Sequence, residues 1–518
     1  MIQKCSCVLL ICAAVMAIGS CRKDFEYAPS AGNLEFSMDT VYLDTVFKSI
    51  SSSTYNLKVY NPTRDDVLIP SIRLRNGDGS AYRLNVDGLP GTSFENIALQ
   101  AQDSLFIGIE VTLSALPDTL NTFLYTDAIA FDTGSFLQEI PMVTLVKDAK
   151  FLFPPTTGSG EKSTVNVTFY MDDEATKTPG FELRDDQLNF TNKKPYVIYG
   201  MAVVPQGKTL TIAAGARVHF HKDAGLLVRS GAQLIIDGEL SGDQNVLENE
   251  VVFEGDRLEP QFSDIPGQWY GILFEKGALP HSISHLTVKN ARVGIFVEGT
   301  EGADMPQFNL RNTQIYNSEE YNLWTKNVAL VAENVVLGGA GNSSLYCSQG
   351  GAYSFTHCTI ANYWNRGFRR GPALRLANTA TTSGGRVLEG NLEMARFRNC
   401  IIDGNGMQEL VLEPNGINTF HFTLENCLLK YRQNGAPNHE NGLYDFNDPS
   451  LFMAVVLNGE ASFLDPGEND FRISEESEAA GKGNLEWGLE IPTDLLGNDR
   501  TSTVDLGAYQ STPLEKMN

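Results

Sequence analysis

Ile283-Ser284-His285-Leu286-Thr287-Val288 and Leu310-Arg311-Asn312-Thr313-Gln314-Ile315 are two copies of one short strand motif. It returns as Ala332-Glu333-Asn334-Val335-Val336-Leu337, Phe355-Thr356-His357-Cys358-Thr359-Ile360, Phe397-Arg398-Asn399-Cys400-Ile401-Ile402 and Leu424-Glu425-Asn426-Cys427-Leu428-Leu429. Aligned on the His or Asn, the copies fall at 285, 312, 334, 357, 399 and 426, in steps of 27, 22, 23, 42 and 27. One strand motif in each period of roughly 20–30 residues is the signature of a solenoid, here a β-solenoid. Each coil stacks its apolar position on the coil below, because no coil buries its face alone. The 42-residue step reads as one coil plus an inserted loop.

The His/Asn column invites a catalytic interpretation, but a structural one is simpler. Parallel coils turn through a residue near the left-handed region, which Asn tolerates, and stacked amides hydrogen-bond along the axis. Cys358, Cys400 and Cys427 share the next column and read as stacked small apolar groups. A Cys400–Cys427 disulfide remains open in an oxidising compartment.

Upstream of the motif, short apolar strands run from Pro195, among them Val203-Val204, Leu210-Thr211-Ile212, Arg217-Val218-His219-Phe220 and Leu234-Ile235-Ile236, with glycines between them. Further upstream the pattern changes. Thr40 to Phe47, Tyr55 to Tyr60, Leu68 to Leu74, Tyr82 to Val86, Ser104 to Leu113, Ala128 to Phe131 and Phe136 to Leu145 alternate apolar and polar residues between turn clusters such as Asn76-Gly77-Asp78-Gly79. Seven or so short strands at this spacing predict an immunoglobulin-like sandwich. No Cys lies there, so hydrophobic packing alone must join its sheets.

The first residues read as a targeting segment. Lys4 precedes an apolar run from Val8 to Ile18, short for a membrane span. Ile18-Gly19-Ser20-Cys21 resembles a bacterial lipobox, which implies cleavage before Cys21 and acylation of its thiol. Arg22-Lys23-Asp24-Phe25-Glu26 resembles the acidic export signal that sends Bacteroidetes lipoproteins to the cell surface. Formal net charge is −24 and the hydrophobic fraction 42%. The first argues against nucleic acid and anionic lipid surfaces as partners, and the second against a disordered chain.

Several stretches together resemble a largely uncharacterised family of Bacteroidetes outer-membrane lipoproteins with a right-handed parallel β-helix. They are Pro195-Tyr196-Val197-Ile198, the Gly207 to Ile212 stretch, Gly255-Asp256-Arg257, Pro266-Gly267-Gln268-Trp269-Tyr270-Gly271-Ile272, Phe463-Leu464-Asp465 through Ile473, and Asp494 to Arg500 followed by Asp505-Leu506-Gly507-Ala508-Tyr509. Ser477-Glu478-Ala479 departs from the family's Ser-Pro-Ala. The resemblance spans about residues 34 to 512 and implies fold and envelope location, not an activity. The expected order is a signal peptide over 1–20, a tether over 21–33, an immunoglobulin-like sandwich over 34–147 and a linker with N-terminal cap over 148–194. A right-handed parallel β-helix follows over 195–460, then a closing coil and cap over 461–518.

Three groups of residues are candidates for chemistry. His219, His221 and Asp223 form an HxHxD run whose alternate side chains share a face and offer a metal two imidazoles and a carboxylate. Asp185-Asp186 and Asp172-Asp173-Glu174 are calcium-type carboxylates that more often are solvated surface. Tyr363, Trp364, Arg366, Arg369 and Arg370 lie in one stretch of aromatics and cations, suited to stacking on sugar rings and gripping carboxylates. Against this stands a rim loop whose arginines pair with acids of neighbouring coils and whose aromatics pack inward. If the loop is a contact site, alanine at all three arginines leaves folding intact. No galacturonase-type Gly-His-Gly occurs among the seven His residues, and no cofactor motif is present.

The expectation is a lipid-anchored, exterior-facing outer-membrane protein without catalytic residues or cofactor. It binds glycan or an outer-membrane protein partner. The alternative is a polysaccharide lyase or hydrolase acting on acidic glycans.

Overall fold

The computed structural model of the chain describes residues 27–113, 122–158, 160–299, 307–432 and 442–513. Lys4, the apolar run, Cys21, Asp24 and Glu26 lie outside the described residues. The protein is all-β, and the described residues hold one short α-helix, Leu485–Glu490. Among those residues no helix is long and apolar enough to cross a membrane. The chain divides into two units, residues 1–148 and 149–518.

The first unit is two sheets around one core. One sheet runs Ala28–Pro29, Val67–Leu74, Thr122–Phe131, Gln138–Lys147, Val41–Phe47, with Ser93–Leu99 also paired to Val67–Leu74. The other runs Glu35–Phe36, Tyr55–Tyr60, Ser104–Val111, Tyr82–Val86, Leu89–Gly91. The alternation in the sequence is the cause. Leu57, Val59, Leu84, Val86, Ile107 and Ile109 point in and are buried, while Asn56, Asn85 and Phe106 point out. A fully buried aliphatic of this kind contributes roughly 1.5–3 kcal/mol relative to exposure. Tyr82 is buried with them, its hydroxyl 2.9 Å from Thr144 Oγ1, and burial pushes the phenol well up. Ala28–Pro29 already pairs with Val67–Leu74, so ordered structure begins before residue 34.

The second unit is one continuous parallel ladder that winds three strands to a coil. Tyr196–Ile198 pairs in parallel with Arg217–Phe220, Met201–Val204 with Gly225–Val228, and Thr209–Ala213 with Gln233–Asp237. The same step repeats to Val456–Leu457. The coil axis is filled by Leu210, Leu234, Ile283, Leu310, Ala332, Phe355, Phe397 and Leu424 and the matching residues of the other two faces. The winding begins earlier than residue 195. Lys150–Leu152, Thr176–Glu182 and Asn189–Phe190 each pair in parallel with the next coil, so much of the expected linker is itself the first coil. The long repeat step holds one coil plus an antiparallel hairpin, Thr379–Thr381 with Val387–Glu389.

The repeated motif turns the corner between the third and first faces. His285, Asn312, Asn334, His357, Asn399 and Asn426 all have φ between 46° and 53°. Amides stack there, with Asn334 Nδ2 donating to Asn312 Oδ1 at 2.9 Å. Among the described residues, Cys347, Cys358, Cys400 and Cys427 are buried free thiols.

Two faces of the stack are covered by the chain itself. On the first face, the outward row reads Arg217, Val252, Thr287, Gln314, then Val336, Thr359, Ile401, Leu428. The C-terminal residues lie over its later half, where Val336 and Ala361 meet Phe471, Ala508 and Tyr509, and Ile401 and Leu428 meet Ile473 and Leu506. Phe463–Asp465 and Asp470–Ile473 form an antiparallel hairpin rather than a further coil, so the expected closing coil is a strap along the flank. Arg500 rivets it in place. It is fully buried and donates to Asn334 Oδ1, to Thr493 O at 3.1 Å and to Gly507 O at 3.0 Å.

On the second face, the hairpin of Thr164–Val167 with Thr176–Glu182 sends its tip along the stack. Val165, Val167, Phe169 and Tyr170 cover Met201, Val203, Leu227 and Leu273, and Tyr170 and Met171 reach Phe296, Trp324 and Tyr346. The arm ends at the inserted hairpin, where Gly384 N donates to Asp173 Oδ2 at 2.8 Å and Ser383 N to Met171 O at 2.9 Å.

Candidate contact surfaces

The third face carries no apolar strap, although Trp487 of the C-terminal segment lies over Arg398 at one edge, 5.1 Å from ring centroid to guanidinium. The satellite apolar clusters among the described residues all lie on the first and second faces. Strand alternation points two rows out from the third. One row is Ile235, Ser282, Asn309, Val331, Ser354, Arg396, Thr423; the other is Asp237, Ser284, Arg311, Glu333, Thr356, Arg398, Glu425. At about 4.8 Å per coil, seven stacked positions make a flat strip about 29 Å long. Its cations pair along the axis: Arg311 Nε lies 2.9 Å from Glu333, and Arg396 and Arg398 Nε lie 3.6 and 3.8 Å from Glu425. The more exposed pairs, of Arg311 and Arg396, contribute only about 0–1 kcal/mol each, so a ligand carboxylate can displace them cheaply.

The aromatic and cationic stretch forms the loop between the first and second faces after Thr359–Asn362. Its residues divide. Tyr363 turns inward, donating to Asp403 Oδ2 at 2.9 Å and meeting Phe463 edge-on, and burial raises both the phenol and the Asp403 carboxyl. Arg369 is largely buried against the fully buried Glu409, with Nη2 2.9 and 3.1 Å from its two oxygens. Burial raises the Glu409 carboxyl, although Arg369 and the amides of Ala373 and Gly406 pull it down. Breaking such a pair leaves a buried charge and costs about 3–5 kcal/mol. Alanine at all three arginines therefore does not leave folding intact. Arg366 and Arg370 are half-exposed, 3.5 Å from Asp264 and 2.8 Å from Glu320. Trp364 is half-buried, its carbonyl accepting from Asn405 Nδ2 at 2.9 Å. The side chain that projects is Phe368, 89% exposed. It was not among the five candidates, because exposure of one aromatic in a run is a matter of loop path rather than residue type.

The HxHxD residues are not brought together. His219 Nδ1 lies 3.6 Å from Glu254 and His221 Nδ1 2.7 Å from Asp256, each imidazole facing a different carboxylate of the next coil. Lys289 Nζ holds the other side of Glu254 at 2.9 Å, which keeps that carboxyl low. Asp223 sits at a turn with φ 60°. Among the described residues no cluster of three or more His, Cys, Asp or Glu is placed to hold a metal. Asp185 and Asp186 are exposed and pair with Lys208 and Arg184. Asp173 anchors the second-face arm.

No family model and no curated protein matches this chain. Among solved structures, it is similar to the ASH / PapD-like domain of human CEP192 (PapD-like domain 7), at 10% identity, covering 25% of this chain and 94% of that one with a TM-score of 0.16. It is also similar to the periplasmic chaperone SfaE, at 14% identity, covering 28% of this chain and 82% of that one with a TM-score of 0.16.

Proposed function

We propose that this chain is a lipid-anchored cell-envelope protein, acylated at Cys21, carried on the outer membrane and facing the exterior. Its first unit is an immunoglobulin-like sandwich and its second a right-handed parallel β-helix of the kind found in Bacteroidetes outer-membrane lipoproteins. The β-helix works by binding rather than by catalysis, holding an acidic glycan strand or the wall of an outer-membrane protein along its third face. One observation carries the proposal: the chain straps two faces of the coil stack with its own apolar segments and leaves most of the third flat and polar, with Arg311 and Arg396 in loose ion pairs and only Arg398 lying under Trp487. A long ligand that lies along stacked coils meets the same spacing at every step.

The test compares the wild type with Arg311→Glu combined with Arg396→Glu. Pull-down from solubilised outer membranes and retention on immobilised acidic glycans are both measured. Loss of the bound component in the variant, with unchanged unfolding midpoints, is expected. Equal recovery refutes the third-face assignment. Calcium-dependent release of ultraviolet-absorbing unsaturated product from pectin, alginate or glycosaminoglycans refutes the non-catalytic proposal and establishes the lyase alternative.

A further inference from the structure

The outer face of the first unit's second sheet has a gap in its middle. Register places Gly108 of Ser104–Val111 between Asn56 of Tyr55–Tyr60 and Asn85 of Tyr82–Val86. All three point away from the core, because their neighbours Leu57, Ile107, Ile109, Leu84 and Val86 are the buried ones. The adjoining rows are Thr54, Glu110 and Arg83 on one side and Lys58, Phe106 and Asp87 on the other. Gly108, Asn56, Asn85 and Phe106 line an open groove of about 750 Å3 that also takes in Tyr27 and residues 97–100, within the roughly 300–1,000 Å3 of small-molecule sites.

Its chemistry selects a ligand class. Phe106 is 58% exposed at the rim, an aromatic ring held open on a rigid strand. Lys58 Nζ lies 5.3 Å from its centroid and supports it from one side. Asn56 and Asn85 are exposed amides, each able to donate and accept on either side of the bare Gly108 backbone. Arg83 has Nη1 committed to the carbonyls of Ser80 and Tyr82 at 2.7 Å, and the Thr54 hydroxyl donates to Glu110. The groove is lined by Arg83 together with Asp87, Asp103 and Glu110, which disfavours an anionic ligand. A ring to stack on, flanking amides and a polar floor suit a polyol whose faces are apolar and whose edges carry hydroxyls.

We propose that this groove binds a neutral oligosaccharide, one sugar ring resting on Phe106 and its hydroxyls bridging Asn56 and Asn85 across Gly108. This goes beyond the third-face proposal, which concerns the other unit and an extended acidic ligand or protein. The sites are separable, because variants of one leave the other's residues untouched.

The test uses the full chain purified in detergent, with fluorescently labelled malto-, cello-, xylo- and manno-hexaose as probes and polygalacturonate as the anionic comparator. At least one neutral hexaose is expected to bind, and Phe106→Ala and Asn85→Ala are each expected to weaken it tenfold or more. Both residues are surface residues, so urea midpoints should not move. Gly108→Val, whose Cβ comes within 3.1 Å of Thr54 Cγ2, should give the same loss by crowding Asn56 and Asn85 at the middle of the groove. Third-face variants should bind the hexaose normally. No neutral hexaose bound with Kd below about 1 mM, binding unaffected by Phe106→Ala and Asn85→Ala, or binding of polygalacturonate alone at this site would each overturn the proposal.

Discussion

Replacing Arg500 by Met tests whether the C-terminal strap is held by one buried cation. The guanidinium is fully buried at the corner of the stack, and desolvation pushes its pKa down to about 10. Asp494 and Asp505 supply the countercharge. Met keeps most of the stem and removes three donated hydrogen bonds. Thr493 O still accepts from Asn334 Nδ2 at 3.0 Å. Asn334 Oδ1 and Gly507 O lose this donor, at about 1–3 kcal/mol each, and two acids lose their cation. A loss of about 3–5 kcal/mol is expected, expressed first as opening of the strap rather than melting of the coils. Hydrogen exchange of residues 485–510 reads this directly, because Gly507 N donates to Asn399 O at 2.7 Å and Ala508 N to Thr359 Oγ1 at 3.0 Å only while the strap is seated. Exchange there should accelerate by more than a hundredfold, with the Gln233–Asp237 ladder unchanged. Unaltered protection of the strap, or a midpoint shift equivalent to less than about 1 kcal/mol, would refute the rivet.

Further expectations concern the loop, the core and acid sensitivity. Arg369→Ala should cost about 3–5 kcal/mol in chemical denaturation by stranding Glu409, whereas Arg366→Ala with Arg370→Ala should stay within about 1 kcal/mol; equal effects would contradict the division of the loop. His281 accepts from Leu234 N at 3.0 Å through Nδ1, and burial holds its pKa down to about 4. A base with a lowered folded pKa stabilises fully above its unfolded value of about 6.5 and loses that contribution, on the order of 3 kcal/mol, as pH falls to about 4. His281→Phe should flatten the difference between pH 6.5 and 4 relative to wild type; an unchanged slope would show that other groups set the acid limb. Ile315→Asp, at a fully buried coil position, should unfold the second unit locally, seen as new protease cuts there. Cys347, Cys358, Cys400 and Cys427 should resist alkylation until the unit unfolds, since all four thiols are buried; rapid labelling of the native protein would contradict that packing.

The parts of the fold legible in the sequence were those governed by local rules. The αL corner from His285 to Asn426 was readable because only residues that tolerate positive φ fit there, and period-2 alternation gave the two-sheet unit. The straps were not readable. Val165 to Met171 reads as a strand and Phe471 to Tyr509 as a closing coil and cap, and what they cover is set by long-range packing. A signal was nonetheless present: outward positions of the first face become apolar at Val336, Ile401 and Leu428, where a solvated face would stay polar. The buried role of Arg369 and the gap at Gly108 depend on partners 40 residues away and on adjacent strands, and no motif spacing encodes either.

The most direct test of the binding proposal is site-specific photocrosslinking in intact cells, with the probe placed in turn at Ser282, Asn309 and Ser354 on the third face and at Phe368 on the rim loop. A crosslinked envelope component or glycan adduct common to the three third-face positions and absent at Phe368 is the expected result. Adducts at Phe368 alone, with the third face bare in cells, would contradict it.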